Sequence, residues 1–517
     1  MPRLQKALSK RRADIDDVLI ELIRPVACTE AFRKKAIEYT VAGVVDVGIG
    51  VTTNNEVVYC VNEPQVGGAE LLETAALVIE GVIAEGLKGL PSKREELKKF
   101  AEKYAIDYDF LKSNYTVMSY LIAKGLSGYG PLYPLLEDPR IEEIAVNSPG
   151  KPAYIVHRDI PVGWIKTNIT LRQDVLDSLI IQLSRRSGRD VSLAHPYLEA
   201  LLPEGHRVAA TFSNEISRFG SSIVIRKHRM EPLSMASLIA NNTVSPLAAA
   251  YLWLLMEYRP AILIVGPTAS GKTTFLQALL SLIPPYSRIV TIEDTPELNL
   301  PYEQWDSLVT RYTYNDYEGE DIDVYKLAKF ALRRRPDYFV IGEIRGEEAR
   351  VFIHAAGSGH AALATFHADS PESALQRLRS RPISLGDSFL QLIWLIIVLR
   401  RVRNAEGLEL RRVVEIVEVV PRGGSVTFNV VFKWSPREDL LLPTDVDTVI
   451  DSSYRLKYIM DVYGLSRSDI REKLTRLESL LRSCITCDFR SLRAMVDEYY
   501  RWALLSVLDR LKEGGRV

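Results

Sequence analysis

The chain has 517 residues, 47% hydrophobic and 25% charged, which are ordinary globular values and argue against disorder. Lys and Arg number 65 against 66 Asp and Glu, so the net charge of −1 lends no support to a strongly basic nucleic-acid binder. Four cysteines at this length exclude a disulfide scaffold, and the length itself is a prior of about three to four domains.

No stretch reads as a membrane span. The two most apolar runs are 246–265, which carries Glu257 and Arg259, and 389–399, which is far shorter than the roughly 20 residues a spanning helix needs. The first residues are basic and then acidic with no long apolar core behind them, so no signal peptide is read. The expected location is the cytoplasm, with any membrane role exerted from outside the bilayer. Asn and Gln are scarce, at 13 and 8, which fits a heat-adapted source.

In chain order, residues 1–38 read as a charged, partly helical lead-in. From 39 to 61, Val, Ile, Tyr and Thr dominate and are broken by glycines and by Asn54-Asn55, the pattern of short strands joined at a polar turn. Residues 70–86 and 93–124 are helical by spacing, with a Pro91-Ser92 break between them. Residues 125–150 are turn-rich, and 151–230 mix strands with one amphipathic helix at 172–187. A hinge is expected near 230–240. Strand and helix then alternate to about 435, the pattern of a parallel sheet covered by helices. The last 75 residues or so read as helical.

The strongest signal is GPTASGKT at 266–273, a full match to G-x-x-x-x-G-K-[ST]. A continuous apolar run, AILIV, precedes it and suits a buried parallel strand; a helix follows and stops at Pro284-Pro285. Glycines at Gly266 and Gly271 let backbone N–H groups turn inward around phosphates, with Pro267, Thr268, Ala269 and Ser270 lining the loop. The helix start adds its positive dipole end. Lys272 is expected to reach the β- and γ-phosphates and Thr273, beside Thr274, to ligate magnesium.

Three segments follow, each beside an expected strand. RIVTIEDTPEL (288–298) ends a β-rich run in Glu293 and Asp294, with Glu297 close behind; carboxylates there can hold magnesium or water. DYFVIGEIR (337–345) sets Glu343 just past a buried strand, where it can orient or deprotonate the attacking water. Gly342 stands where the usual Walker B aspartate would be, so a second magnesium contact must come from elsewhere, through water or from the 293–297 carboxylates. GSGHAALATFHA (357–368) flanks an apolar strand with His360 and His367, which could sense phosphate or touch a neighbouring subunit; zinc is not indicated.

These four segments, in this order, resemble the boxes of the secretion-motor ATPase superfamily of type II and type IV secretion, type IV pili and archaeal flagella. GYGPLYPLLEDPRIEEIAVN (128–147), LLPEGHRVAATF (201–212) and SSIVIRKH (221–228) resemble its N-terminal domain. WDSLVTR (305–311), ALRRRPDYFVIGEIRGEEA (331–349), TFHADSPESALQRL (365–378) and VLRRVR (398–403) are closest to the archaeal branch. The glycine at 342 is itself a habit of the family. The four-cysteine zinc module of bacterial type II members has no counterpart between Cys60 and Cys484. Cys484 and Cys487 form a lone C-x-x-C, read as structural thiols ahead of a disulfide or a metal site.

The resemblance implies an α/β fold: a RecA-like P-loop core with a separate α+β N-terminal domain and a helical C-terminal tail, assembled as a hexameric ring. The divisions expected are 1–100, an extension; 101–235, a domain closing over the nucleotide; 236–435, the ATPase core; and 436–517, the helical region. It also implies arginines that bring positive charge to the γ-phosphate: Arg207, Arg218 and Arg226 from the N-terminal domain, or Arg311, Arg333 and Arg345 from the core. The leading expectation is a magnesium-dependent ATP hydrolase. It would act as a homo-hexameric motor at the cytoplasmic face of a membrane, working through a polytopic platform protein on pilin-like subunits, with no direct nucleic-acid contact. The alternatives are a relative that drives DNA transfer or uptake, an ATP-gated scaffold with little turnover, and, more weakly, a P-loop small-molecule kinase.

Overall fold

The computed structural model describes residues 17–64, 69–160, 162–228, 232–311, 321–403 and 409–512. Residues 1–16 of the expected 1–38 lead-in, and residues 229–231 at the expected hinge, lie outside the described residues. The chain forms two compact units, Met1–Arg229 and Met230–Val517.

The first unit is built on a nine-stranded sheet. Its strands are β1 (Phe32–Val41), β2 (Val45–Thr52), β3 (Val57–Asn62), β4 (Ile141–Val146), β5 (Pro152–His157), β6 (Trp164–Thr170), β7 (Tyr197–Leu201), β8 (Arg207–Thr211) and β9 (Ser222–Arg226). Their order is β1-β2-β3-β6-β5-β4-β9-β8-β7, so strands from the first hundred residues and from 141–226 share one sheet. Every pairing is antiparallel except β3 with β6. The 93–124 run, expected as one helix, is three: Arg94–Lys103, Tyr108–Ser113 and Tyr115–Ser127. The first break is local chemistry. Ala105 adopts a left-handed φ of 54°, and Asp107 caps the next helix by accepting from the Phe110 N–H at 3.0 Å.

The second unit carries β10 (Ala261–Val265), β11 (Ile289–Glu293), β12 (Trp305–Val309), β13 (Tyr338–Ile344), β14 (Ala361–Phe366), β15 (Leu395–Arg403), β16 (Glu409–Arg422), β17 (Ser425–Ser435) and β18 (Leu440–Leu442). The order is β12-β11-β13-β14-β10-β15-β16-β17-β18. The pairings from β12 to β15 are parallel. Strands β10, β11 and β14 are wholly buried, as continuous apolar runs in a helix-covered parallel sheet should be.

The expected strand–helix alternation to 435 is corrected here. After β15 the chain adds an antiparallel meander, β16–β17–β18, with no intervening helix. Gly423 and Gly424, both at positive φ, close the β16–β17 hairpin in two residues, a turn that leaves no room for a crossover.

The C-terminal helices pack on this core. The helix Pro246–Met256 is buried nearly all round, between the sheet and the helix Arg467–Ser483. Buried Glu418 on β16 anchors the region. It accepts from Tyr251 Oη at 2.8 Å, Ser453 Oγ at 2.6 Å, Asn429 Nδ2 at 2.7 Å, and the N–H groups of Tyr454 at 2.8 Å and Arg455 at 2.9 Å.

The expectation of structural thiols is also corrected. Cys28 pairs with Cys60 and Cys484 with Cys487, and no cysteine among the described residues is free. Among the described residues no helix is long and apolar enough to cross a membrane.

Candidate active site

The loop between β10 and the helix Lys272–Leu280 lies at the carboxyl end of the parallel strands, where α/β sheets bind ligands. Close packing dictates its glycines. A Cβ on Gly266 would sit 2.4 Å from the Leu399 carbonyl oxygen and 2.6 Å from Ser270 Oγ. Gly271, at φ 94°, caps the helix in a conformation that disfavours any side chain. Ala269 also holds a positive φ, 61°. Pro267 O closes the loop on itself, accepting from the Ser270 N–H at 3.3 Å and from Lys272 Nζ at 3.0 Å.

Burial pulls the Lys272 ammonium below the usual lysine range, and the charges of Glu343 and then Glu297 oppose that shift. Glu343 belongs to β13, where the register against β14 slips between Ile341 and Ile344. This bulge at Gly342 and Glu343 re-aims the glutamate at the strand end. Arg345 forks onto Glu343 Oε2, with Nε at 2.9 Å and Nη2 at 2.6 Å. Glu343 Oε1 contacts His367 Nε2. Burial first, and then the Lys272 charge, hold the His367 imidazole below its usual range, against Glu343. The ring is therefore neutral at pH 7 and donates its Nε2 proton to the carboxylate.

Glu293, at the end of β11, accepts from the N–H groups of Glu297 at 2.9 Å and Leu298 at 3.1 Å. Its side chain lies against Gly342, where a Cβ would come within 3.0 Å of Glu293 Cγ. Asp294 accepts from Thr310 Oγ1 at 2.9 Å and lies 3.7 Å from Arg345 Nη1.

The structure thus gathers Gly266, Pro267, Thr268, Ala269, Ser270, Gly271, Lys272, Thr273 and Thr274 with Glu293, Asp294, Glu297, Glu343, Arg345 and His367 at one end of one sheet. His360 does not join them. It lies just before β14, at the opposite edge, its Nδ1 2.7 Å from Pro336 O, with six strand residues, roughly 20 Å, between it and His367. Arg333 follows the helix Val324–Leu332 at that same far edge, where its neighbour Arg334 pairs with Asp306. Arg207 and Arg226 lie in the first unit as register partners across β8 and β9, with Arg226 Nε 3.9 Å from Glu143. Arg218 also belongs to the first unit, its guanidinium over the Phe219 ring.

Two neighbours of the site went unread in the sequence. Arg411, on β16, donates from Nε to the Ala269 carbonyl at 3.3 Å. Arg377 donates to the His367 carbonyl and stacks on Phe366. Arg411 stands outside every box, and nothing local marks it. Arg377 falls within a stretch of family likeness whose pattern assigns it no role.

Two features test the fit to a magnesium nucleotide. Ser270 Oγ is buried without a hydrogen-bond partner among the described residues, beneath a loop whose lysine is engaged by a backbone carbonyl. Among the described residues no three His, Cys, Asp or Glu side chains converge into a self-sufficient metal cage. Oxygen donors are nonetheless at hand in the Thr273 hydroxyl and the Asp294 and Glu343 carboxylates, the hard ligand type that magnesium takes alongside waters and phosphate oxygens.

A buried strand, a phosphate-type loop, a helix and a strand-end carboxylate define a P-loop α/β core. The comparisons make this specific. The family model described as Type II/IV secretion system protein matches residues 162–404. A Bordetella bronchiseptica protein, the type IV secretion system protein PtlH homolog, is 34% identical over 269 residues, 48% of this chain and 78% of that one. The chain belongs to the type II/IV secretion ATPase superfamily. An uncharacterised Methanocaldococcus jannaschii protein, MJ0900, is 39% identical over 324 residues, and the match spans 62% of this chain and 58% of that relative. Among solved structures, the VirB11 ATPase of Brucella suis in complex with sulphate is 25% identical over 57% of this chain and 94% of its own, with a TM-score of 0.28.

Proposed function

We propose that the protein is a magnesium-dependent ATP hydrolase that works as one subunit of a homo-hexameric motor. The observation that carries this reading is the convergence of Lys272, Glu297, Glu343 and His367 on one P-loop. Lys272 and the N–H groups from Gly271 to Thr274 hold the β- and γ-phosphates. Thr273, with Asp294 and Glu343 beside it, would hold magnesium; bound there, the ion would neutralise charge on the phosphates. Glu343 orients the attacking water and receives its proton, while Arg345 and His367 fix its two oxygens. Glu293 and Glu297 shape the acidic side of the site, and Arg207 and Arg226 supply positive charge to the γ-phosphate. His360 is dropped from the nucleotide set.

The division at 1–100, 101–235, 236–435 and 436–517 is kept as a functional proposal, in which the second segment responds to the nucleotide. The work performed is assembly of pilus-like or archaeal flagellar filaments, or secretion, through a membrane platform protein at the cytoplasmic face. Relatives named for type IV secretion support this class of work.

Steady-state ATP hydrolysis tests the reading. Wild type with magnesium should turn over, Glu343→Gln should bind ATP without turnover, and Lys272→Ala should lose tight binding. Arg226→Ala should lower kcat more than affinity. Full turnover by Glu343→Gln would move the base to the 293–297 carboxylates. A second reading, an ATP-gated scaffold, draws on the engagement of both Glu343 oxygens by Arg345 and His367. Binding without turnover in the wild type would select it.

A further inference from the structure

The β15–β16 hairpin extends past the phosphate loop. Strand β15 pairs with β10 as far as Val265 opposite Val398 and then continues to Arg403. Strand β16 returns antiparallel, with Arg411 opposite Arg401 and Arg412 opposite Arg400. The arm touches the loop at three points. The Leu399 carbonyl fills the space beside Gly266, Arg411 Cδ lies 3.4 Å from where a Cβ on Gly271 would stand, and Arg411 Nε donates to Ala269 O at 3.3 Å.

The aim of Arg411 is set by its neighbour. Successive strand residues face opposite ways, so fixing one fixes the other. Arg412 is 5% exposed and forks onto Asp439, with Nε to Oδ1 and Nη2 to Oδ2 both at 2.7 Å; its Nη1 donates to Asn241 O at 3.0 Å. Asp439 also accepts from Trp434 Nε1 at 3.0 Å. The next N–H, from Val413, reaches Thr243 O at 2.8 Å. The base of the arm is thus locked to the core, and Arg411 is held toward the loop.

We propose that Arg411 is a positioning residue for the nucleotide loop. Its Nε–H holds the Ala269 carbonyl outward and so keeps Ala269 in the left-handed conformation that lets the following N–H groups face a phosphate. A non-glycine residue at positive φ carries strain, and a bond to its carbonyl is a direct way to hold it there. This inference rests on the proposed nucleotide reading of the loop.

Substitution can separate the N–H from the charge. The amide nitrogen of glutamine occupies the chain position of arginine Nε, whereas lysine has a methylene there and its charge lies one atom beyond. ATP and ADP affinity, and KM and kcat for ATP, should be measured for Arg411→Ala, Arg411→Lys and Arg411→Gln, with a thermal melt of each nucleotide-free protein as a folding check. Alanine and lysine should each weaken affinity and raise KM about tenfold, the effect of losing one hydrogen bond, with kcat at saturation falling less than threefold. Glutamine should stay within threefold of wild type on every measure. Wild-type affinity in Arg411→Ala, or full recovery by lysine with none by glutamine, would overturn the proposal. Lys272→Ala in the same series separates the two readings. If it loses binding while Arg411→Ala does not, only the role of Arg411 fails; if it binds normally, the nucleotide assignment of the loop fails first.

Discussion

Gly342 shows how one atom shapes the acidic half of the site. A Cβ there would press on Glu293 at 3.0 Å, so the glycine leaves the seat that the β11 glutamate takes. Gly342→Ala should therefore displace Glu293 and lower ATP turnover roughly tenfold while leaving the folded core intact, since only a side chain must yield. Wild-type turnover in that variant would show that the seat of Glu293 does not matter. The residues of the loop and the boxes were legible because each follows its strand at a fixed spacing. The contact between Gly342 and Glu293 was not, because it runs between strands more than forty positions apart. Arg411 was silent for the same reason. Its chemistry comes from register in a hairpin, and an exposed arginine in a strand carries no local mark.

At the scale of elements, the parallel half of the second sheet was readable from buried apolar runs, and the meander after β15 was not. Its strands look like the parallel ones until the Gly423-Gly424 turn is recognised as a hairpin. The helical tail was legible as helix but not as part of the core, because the decisive group, Glu418, sits on a strand and caps a helix 36 residues later. Glu418→Ala should lower stability by about 3 kcal/mol in urea unfolding, since it strips an acceptor from five buried or half-buried donors. A loss below about 1 kcal/mol would mean that water replaces it. The Cys28–Cys60 pair went unread and the Cys484–Cys487 disulfide was ranked behind free thiols because pairing is a matter of Cα geometry: 5.5 Å for the first and 5.1 Å for the second.

For the molecule as a whole, three buried or half-buried imidazoles, His157, His206 and His367, sit below their usual range, chiefly through burial, with His206 held down to about 4. The unfolded chain binds these protons near pH 6.5, before the folded one does. Stability is thus fully present above about pH 6.5 and falls as pH drops toward 4. Thermal melts across that window should show a falling midpoint, and His206→Asn should flatten the fall. A midpoint that is level or rises toward acid would contradict the assignment. The near balance of charge foretold none of this, since it depends on where the histidines are buried rather than on how many there are.

Strand β14 separates β10 from β13, so the phosphate loop and Glu343 spring from strands that never touch. The gap between them is two strand spacings, roughly 9.6 Å, and it is set by backbone hydrogen bonds. Three of the six residues that fill it, Ala361, Ala362 and Ala364, have almost no side chain. The width of the site is therefore written in the peptide ladder, where point substitutions scarcely reach it. A one-residue slip of β14 would move His367 away from Glu343 while every proposed site residue remained in the sequence. Drift of side chains could retune such a site, but only an insertion or deletion could shift its strands past one another.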